Sequence, residues 1–276
     1  MPRPEPRKIR HSPIAGSAHP PDIARTYCRG GTLDAGPACR STTKQESTVK
    51  KMIAALAALA LVAAAPAAAQ DAAMTFFITS AGPGDGANLG GLDGADQHCA
   101  DLADAVGSSD LTWHAYLSAL ARNGEPAVNA RDRIGSGPWH NHAGDMIAAD
   151  VTALHSDAAN LTKQSILSEK GMESNGRGDD PNMHDILTGS NLDGTVFEGE
   201  DNTNCDNWTS DGEGSTRVGH HDRQGGGQNP ESWNSAHGSG GCSQEDLQAT
   251  GGNGFFYCFA IDANTPEQPA ARAETF

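Results

Sequence analysis

Aromatic side chains and positive charge are what this chain has least of. Aromatics are 5% and apolar residues 37% of 276 residues, so a large core is excluded and loops must carry much of the fold. From residue 71 onward only 9 Lys/Arg stand against 31 Asp/Glu, a formal net charge of −22. That balance excludes nucleic acid and anionic lipid as partners, because binding to either is driven by neutralising phosphates with Lys and Arg. It suits divalent cations instead. The sequence has no H-E-x-x-H, no G-x-S-x-G and no C-x-x-C, so the usual signatures of zinc proteases, α/β-hydrolases and zinc ribbons are missing. No enzyme is expected.

Lys50 and Lys51 precede an Ala/Leu/Val run over 53–69 that closes on Ala67-Ala68-Ala69. A positive start, an apolar middle and a small-residue end define a secretory signal peptide, assigned to 49–70. Val49 is read as the initiator, which makes 1–48 a non-native or mis-assigned extension holding Cys28 and Cys39. The mature chain is then secreted or periplasmic, with no membrane anchor after cleavage.

Four cysteines remain, Cys99, Cys205, Cys242 and Cys258. An even count in an exported chain predicts two disulfides, with three connectivities open. Met74-Thr75-Phe76-Phe77-Ile78-Thr79 reads as a first strand. Leu92, Ala95, Cys99, Leu102, Ala103 and Val106 recur at helical spacing, which turns Cys99 inward, and Gly107 stops the helix. Strands are expected at 111–118, 146–148, 186–190, 207–210 and 255–261, with a short helix within 128–134. The predicted class is α+β: one domain over 74–262 with short antiparallel strands, one main helix and long loops. The tail 263–276 is expected to be disordered.

The order of these landmarks resembles the C-type-lectin-like fold. Cys99, Trp113-His114-Ala115-Tyr116-Leu117-Ser118, Cys205, Trp233-Asn234, Cys242 and Phe256-Tyr257-Cys258 follow one another as they do there. Within that fold the chain is most similar to endostatin, the C-terminal domain of certain collagens, and to bacterial exported relatives of unassigned function. Pro126-Ala127-Val128-Asn129-Ala130-Arg131-Asp132, Leu187-Thr188-Gly189-Ser190 and Cys205-Asp206-Asn207-Trp208 carry this part of the likeness. The resemblance implies nested bridges, Cys99–Cys258 and Cys205–Cys242. It also implies a binding module for a glycan or a surface protein. Sugar-binding members use a Trp-Asn-Asp strand to hold calcium, whereas here Ser235 follows Trp233-Asn234 and the carboxylate is missing.

Glu198, Glu200 and Asp201, with Asn207 and Asn234, are the candidate calcium and ligand donors, since Ca²⁺ takes carboxylate and amide oxygens. His220, His221, Asp222 and His237 are the candidate zinc ligands, with His184-Asp185 ahead of the strand at 186. Neighbouring residues on a strand face opposite sides, so only one of His220 and His221 can join a shared site. Arg177-Gly178-Asp179 spells an adhesive tripeptide, and the four tryptophans could stack on sugars where exposed. The function expected is a secreted lectin-like binding module, with calcium as the candidate cofactor. A metal-dependent hydrolase using the His220/His221/His237 region is one alternative. A structural envelope protein without a small-molecule ligand is the other.

Overall fold

The structure is a computed structural model that describes residues 73–199 and 202–262. The expected extension, signal peptide and tail therefore lie outside the described residues, as do Glu200 and Asp201. In chain order the elements are β1 (Phe76–Ile78), α1 (Gly91–Asp104), β2 (Trp113–Ala115), α2 (Ala130–Arg133), β3 (Trp139–His140) and β4 (Met146–Ala148). They continue with α3 (Val151–Leu154), β5 (Asp185–Leu187), β6 (Arg217–His220), β7 (His237–Gly238), α4 (Gln244–Thr250) and β8 (Gly252–Ala260). This is a mixed α+β fold of short elements.

The last strand organises the rest. β8 pairs antiparallel with β1 and β2 and parallel with β5, and the sheet then runs on through β6 to β7. A strand covered on both faces must be apolar at both parities, and Phe255 to Ala260 is buried at every position. Phe256, Cys258 and Ala260 face one apolar cluster, with Phe77, Trp113, Leu187, Val218 and the four cysteines. Phe255, Tyr257 and Phe259 face the other, with Phe76, Tyr116, Trp139, Ile186 and Trp233. β3 and β4 form a separate two-stranded ladder packed on this second face.

Helix α1 covers the first face through Ala95, Cys99 and Ala103, spaced four apart along one stripe. The helix thus delivers Cys99 to Cys258 on β8, and Cys205 closes on Cys242; the Cα–Cα distances are 5.7 and 5.6 Å. Both bridges join the pairs that the resemblance implied. Among the described residues no helix is long and apolar enough to cross a membrane.

The strand expected at 207–210 is absent. Asn204 to Trp208 is instead a left-handed turn, with φ from 46° to 69°. That conformation costs about 1–2 kcal/mol per L-residue, and Asn and Asp tolerate it best. Tertiary bonds hold it here. The Asn204 side chain donates to Ser118 O (3.0 Å) and accepts from Thr216 Oγ1 (3.2 Å). The Asn207 amide both accepts from Leu120 N and donates to Leu120 O, each at 2.9 Å. Trp208 Nε1 donates to Ser118 O at 2.8 Å. The stretch read as 111–118 keeps only β2 as strand, since Tyr116 N still bonds Tyr257 O but Ser118 N turns to Thr188 O.

Candidate functional site

Strand register sets up a site at one end of the sheet. Asp185 on β5 lies directly opposite His220 on β6, and His237 on β7 opposes Val218, two residues before His220. With a side-chain period of two, Asp185, His220 and His237 share one face. His184, the residue before β5, turns its ring onto His220; the two rings stack at 4.3 Å with 6° between their planes. Three imidazoles therefore surround one carboxylate. Asp185 Oδ1 is 3.3 Å from His184 Nε2, 3.3 Å from His220 Nε2 and 3.4 Å from His237 Nε2. Ligand atoms of His184, Asp185 and His220 all lie within 4.8 Å of one another, and these three residues are buried. The His237 side chain is 24% exposed and borders open solvent.

The opposite ring nitrogens fix how these imidazoles are turned. His220 Nδ1 donates to Pro230 O at 2.7 Å and His237 Nδ1 to Gly238 O at 2.9 Å. A carbonyl can only accept, so in both rings Nδ1 carries a proton; a neutral ring then turns its Nε2 lone pair to Asp185, and a charged ring turns an N–H to it. His184 Nδ1 bonds Asp222 Oδ1 at 3.2 Å, and Asp222 is itself held by the backbone N–H groups of Arg177 and Gln224. Meanwhile both Asp185 oxygens and His220 Nε2 are buried without a hydrogen-bond partner.

Electrostatics follow this arrangement. Burial works to raise the Asp185 carboxyl, but the imidazoles of His220 and His237 prevail and hold it below the usual carboxylate range. Asp222 is likewise opposed by burial, yet His184 and the two backbone N–H groups hold it well below that range. The Asp185 carboxylate lifts His237 above its ordinary value.

Backbone also closes tightly over two of the rings. A Cβ on Gly225 would come within 2.3 Å of His220 Cε1, and one on Gly227 within 2.8 Å of His237 Cβ. Only glycine fits there.

Of the four expected zinc ligands, His220 and His237 converge with His184 and Asp185. His221 does not: it lies on the opposite face, where its Nε2 bonds Asn175 O at 3.0 Å. Asp222 stands one layer out, behind His184. His184 and Asp185 were visible in the sequence only as a His-Asp pair beside a strand, because their partners arrive through strand register.

The expected calcium donors are placed differently. Asn234 is buried; its Nδ2 donates to Tyr116 Oη (2.9 Å) and Asn191 O (3.0 Å), and its Oδ1 accepts from Ser232 Oγ (3.0 Å). Asn207 spends its whole amide on Leu120. Glu198 is exposed. The tryptophans are at most 5% exposed and belong to the two cores, not to a sugar-stacking surface. Arg177-Gly178-Asp179 sits in an exposed turn whose Asp179 accepts from Gly176 N and pairs with Lys163.

An open cleft of about 500 Å³ lies beside this end of the sheet. Asp157, Leu192, Arg223, Gln228, Asn229 and Glu231 are among its walls, over a floor of His155, Trp233 and Asn234. The floor is a closed network: Tyr116 Oη bonds both His155 Nε2 (2.7 Å) and the Asn234 amide, and His155 Nδ1 bonds Val151 O (2.8 Å). A scan against protein-family models and a search of curated proteins both find no match to this chain.

Proposed function

We propose that the chain is an exported binding module of lectin-like design whose ligand face is the cleft walled by Asp157, Leu192, Arg223 and Glu231. One observation carries this reading. Hydrogen-bonding side chains of both charges line an open cleft together with Leu192, which is 54% exposed, above a floor whose polar groups bond one another. Polar groups free to face a ligand, set on a rigid base with a single apolar contact, suit a hydroxyl-rich molecule such as a glycan, or the polar rim of a surface protein. The landmark order, the two disulfides and the acidic surface support export and the lectin-like reading. Calcium has no assigned place in it, because the Asn207 and Asn234 amides are taken up internally.

The test is binding of the purified chain to a glycan array and to cell-envelope proteins, repeated with Arg223→Ala and Glu231→Ala. The reading expects binding that each substitution weakens about tenfold, the scale of one lost charged hydrogen bond. A blank on both surfaces, or binding that neither substitution changes, overturns it. A metal-dependent hydrolase is a second reading, favoured by the convergence of His184, His220 and His237. It requires hydrolysis of chromogenic esters or phosphates that Asp185→Asn abolishes.

A further inference from the structure

We propose that His184, Asp185, His220 and His237 form a zinc site that staples β5, β6 and β7 together and closes the base of the loop 221–236. Three observations converge on it.

The first is lone-pair crowding. His220 and His237 spend an Nδ1 proton on carbonyl oxygens, so as neutral rings they point Nε2 lone pairs at a carboxylate that has no hydrogen bond of its own. Lone pairs facing a buried anion repel it, and a buried charge without a partner is strongly unfavourable. A metal ion among them, or a proton on a ring, relieves this. A ring proton would relieve it best through a short charge-assisted bond to Asp185, and such bonds run about 2.7–2.9 Å. The three contacts are instead 3.3, 3.3 and 3.4 Å.

The second is that the three distances from Asp185 Oδ1 match edges of a coordination tetrahedron, and that the ligand atoms of His184, Asp185 and His220 all lie within 4.8 Å of one another, with His237 outside that trio but its Nε2 3.4 Å from the carboxylate. Ligand atoms about 2.0–2.1 Å from a zinc ion at the tetrahedral angle are separated by about 3.3–3.4 Å. The donor set also discriminates between metals. Calcium and magnesium take oxygen ligands, whereas three imidazoles and one carboxylate suit zinc or a neighbouring late first-row ion.

The third is the surrounding layer. Every candidate imidazole has its second nitrogen anchored: His184 by Asp222, His220 by Pro230 O and His237 by Gly238 O. This outer arrangement is the one that orients metal-binding histidines and sets their tautomer.

His184, Asp185 and His220 form the trio, and a turn of the partly exposed His237 side chain supplies the fourth ligand, which makes the ion structural and leaves no position for a substrate water. Its mechanical effect follows from where the ligands lie. His220 ends β6 and His237 begins β7, so the ion joins the two ends of the loop between them. Arg223, Gln228, Asn229 and Glu231 of the cleft belong to that loop. This last consequence rests on the binding-module reading, whereas the zinc site itself does not.

The experiment uses the purified chain without affinity-tag histidines, loaded with zinc, dialysed into metal-free buffer and measured for metal content. The expected result is zinc close to equimolar with protein, and the visible absorption bands of tetrahedral cobalt(II) after cobalt loading. Asp185→Asn and His237→Ala each weaken zinc more than about 100-fold, and Asp222→Asn weakens it about 10–100-fold. His237 is partly exposed, so its variant tests the site without opening the core. His221→Asn, altered on the opposite face, keeps full occupancy. Stripping the metal exposes Arg223 to trypsin, and adding zinc back protects it. A folded wild-type chain that takes up no zinc overturns the proposal. So does zinc retained unchanged in both Asp185→Asn and His237→Ala. Zinc binding with a blank glycan array would overturn the cleft reading alone.

Discussion

The helix-covered half of the sheet is tied to β8 by Cys99–Cys258, while strands β5, β6 and β7 carry no cysteine themselves, are bracketed only in part by Cys205–Cys242, and gather three imidazoles around Asp185. Both regions face the same problem. Each is built of loops and short strands, whose ends a cross-link holds together. A disulfide acts chiefly by limiting the unfolded chain and asks little of its surroundings. A cluster of buried polar ligands is different, because it is unfavourable until its cation is in place. One half of the molecule is therefore stable by covalent connection. If the proposed zinc site holds, the other is stable conditionally, on its ion.

Removing the longer bridge breaks the comparison most severely. Cys99–Cys258 spans 159 residues and Cys205–Cys242 spans 37. Replacing both members of the first pair by Ala should cost about 2–5 kcal/mol, and on loop length alone about 1 kcal/mol more than replacing the second pair. Urea unfolding of the two double variants measures the difference. An equal loss would show that native contacts, not chain closure, decide the value of each bridge.

Metal comes next in size. Zinc at a hundredfold excess over its dissociation constant should raise the unfolding free energy by about 2.7 kcal/mol. Asp185→Asn should remove that response while leaving the disulfide half intact. Thermal melts with and without a chelator read both effects.

The two halves were unequally legible in the sequence, and the reason is range. Helix α1 and strand β8 announce themselves locally, by Ala95, Cys99 and Ala103 at helical spacing and by an apolar run from Phe255 to Ala260. The division between His220 and His221 also follows from strand parity alone. The company His220 keeps does not. It depends on β5 lying between β6 and β8, and on a loop returning His237 alongside Val218. The turn at Asn204–Trp208 was misread for a related reason. Trp and Thr favour strands, but bonds from Ser118 and Leu120, more than eighty residues away, override that preference. Its one local hint was the Asn/Asp content, since those residues tolerate left-handed backbone best.

Smaller perturbations sharpen that lesson. Asp206 has φ 57° and an exposed ion pair with Arg122. Asp206→Gly relieves the left-handed strain and loses a surface ion pair and a long, exposed bond from Thr209 Oγ1, so it should be neutral or stabilising by up to about 1 kcal/mol. A clear destabilisation would mean that the turn is held through Asp206 itself.

The pH response of His155 is the last and least. Burial lowers this imidazole below its ordinary 6.5 and outweighs the bond to Val151 O, while Arg131 and Asp193 act in opposite senses. The folded ring thus binds a proton less readily than the unfolded one. Its contribution is complete above the unfolded value and is lost as pH falls from there through the lower folded value. His155→Gln should flatten the stability curve between about pH 7 and 5 relative to the parent chain. An unchanged slope would place the pH dependence elsewhere.

The most direct measurement is anomalous diffraction at the zinc edge from crystals of the chain grown with zinc. The account predicts a peak about 2.0–2.1 Å from Nε2 of His184, His220 and His237 and from a carboxylate oxygen of Asp185. No peak at that position, or zinc held only on the exposed acidic surface around Glu198, would contradict it.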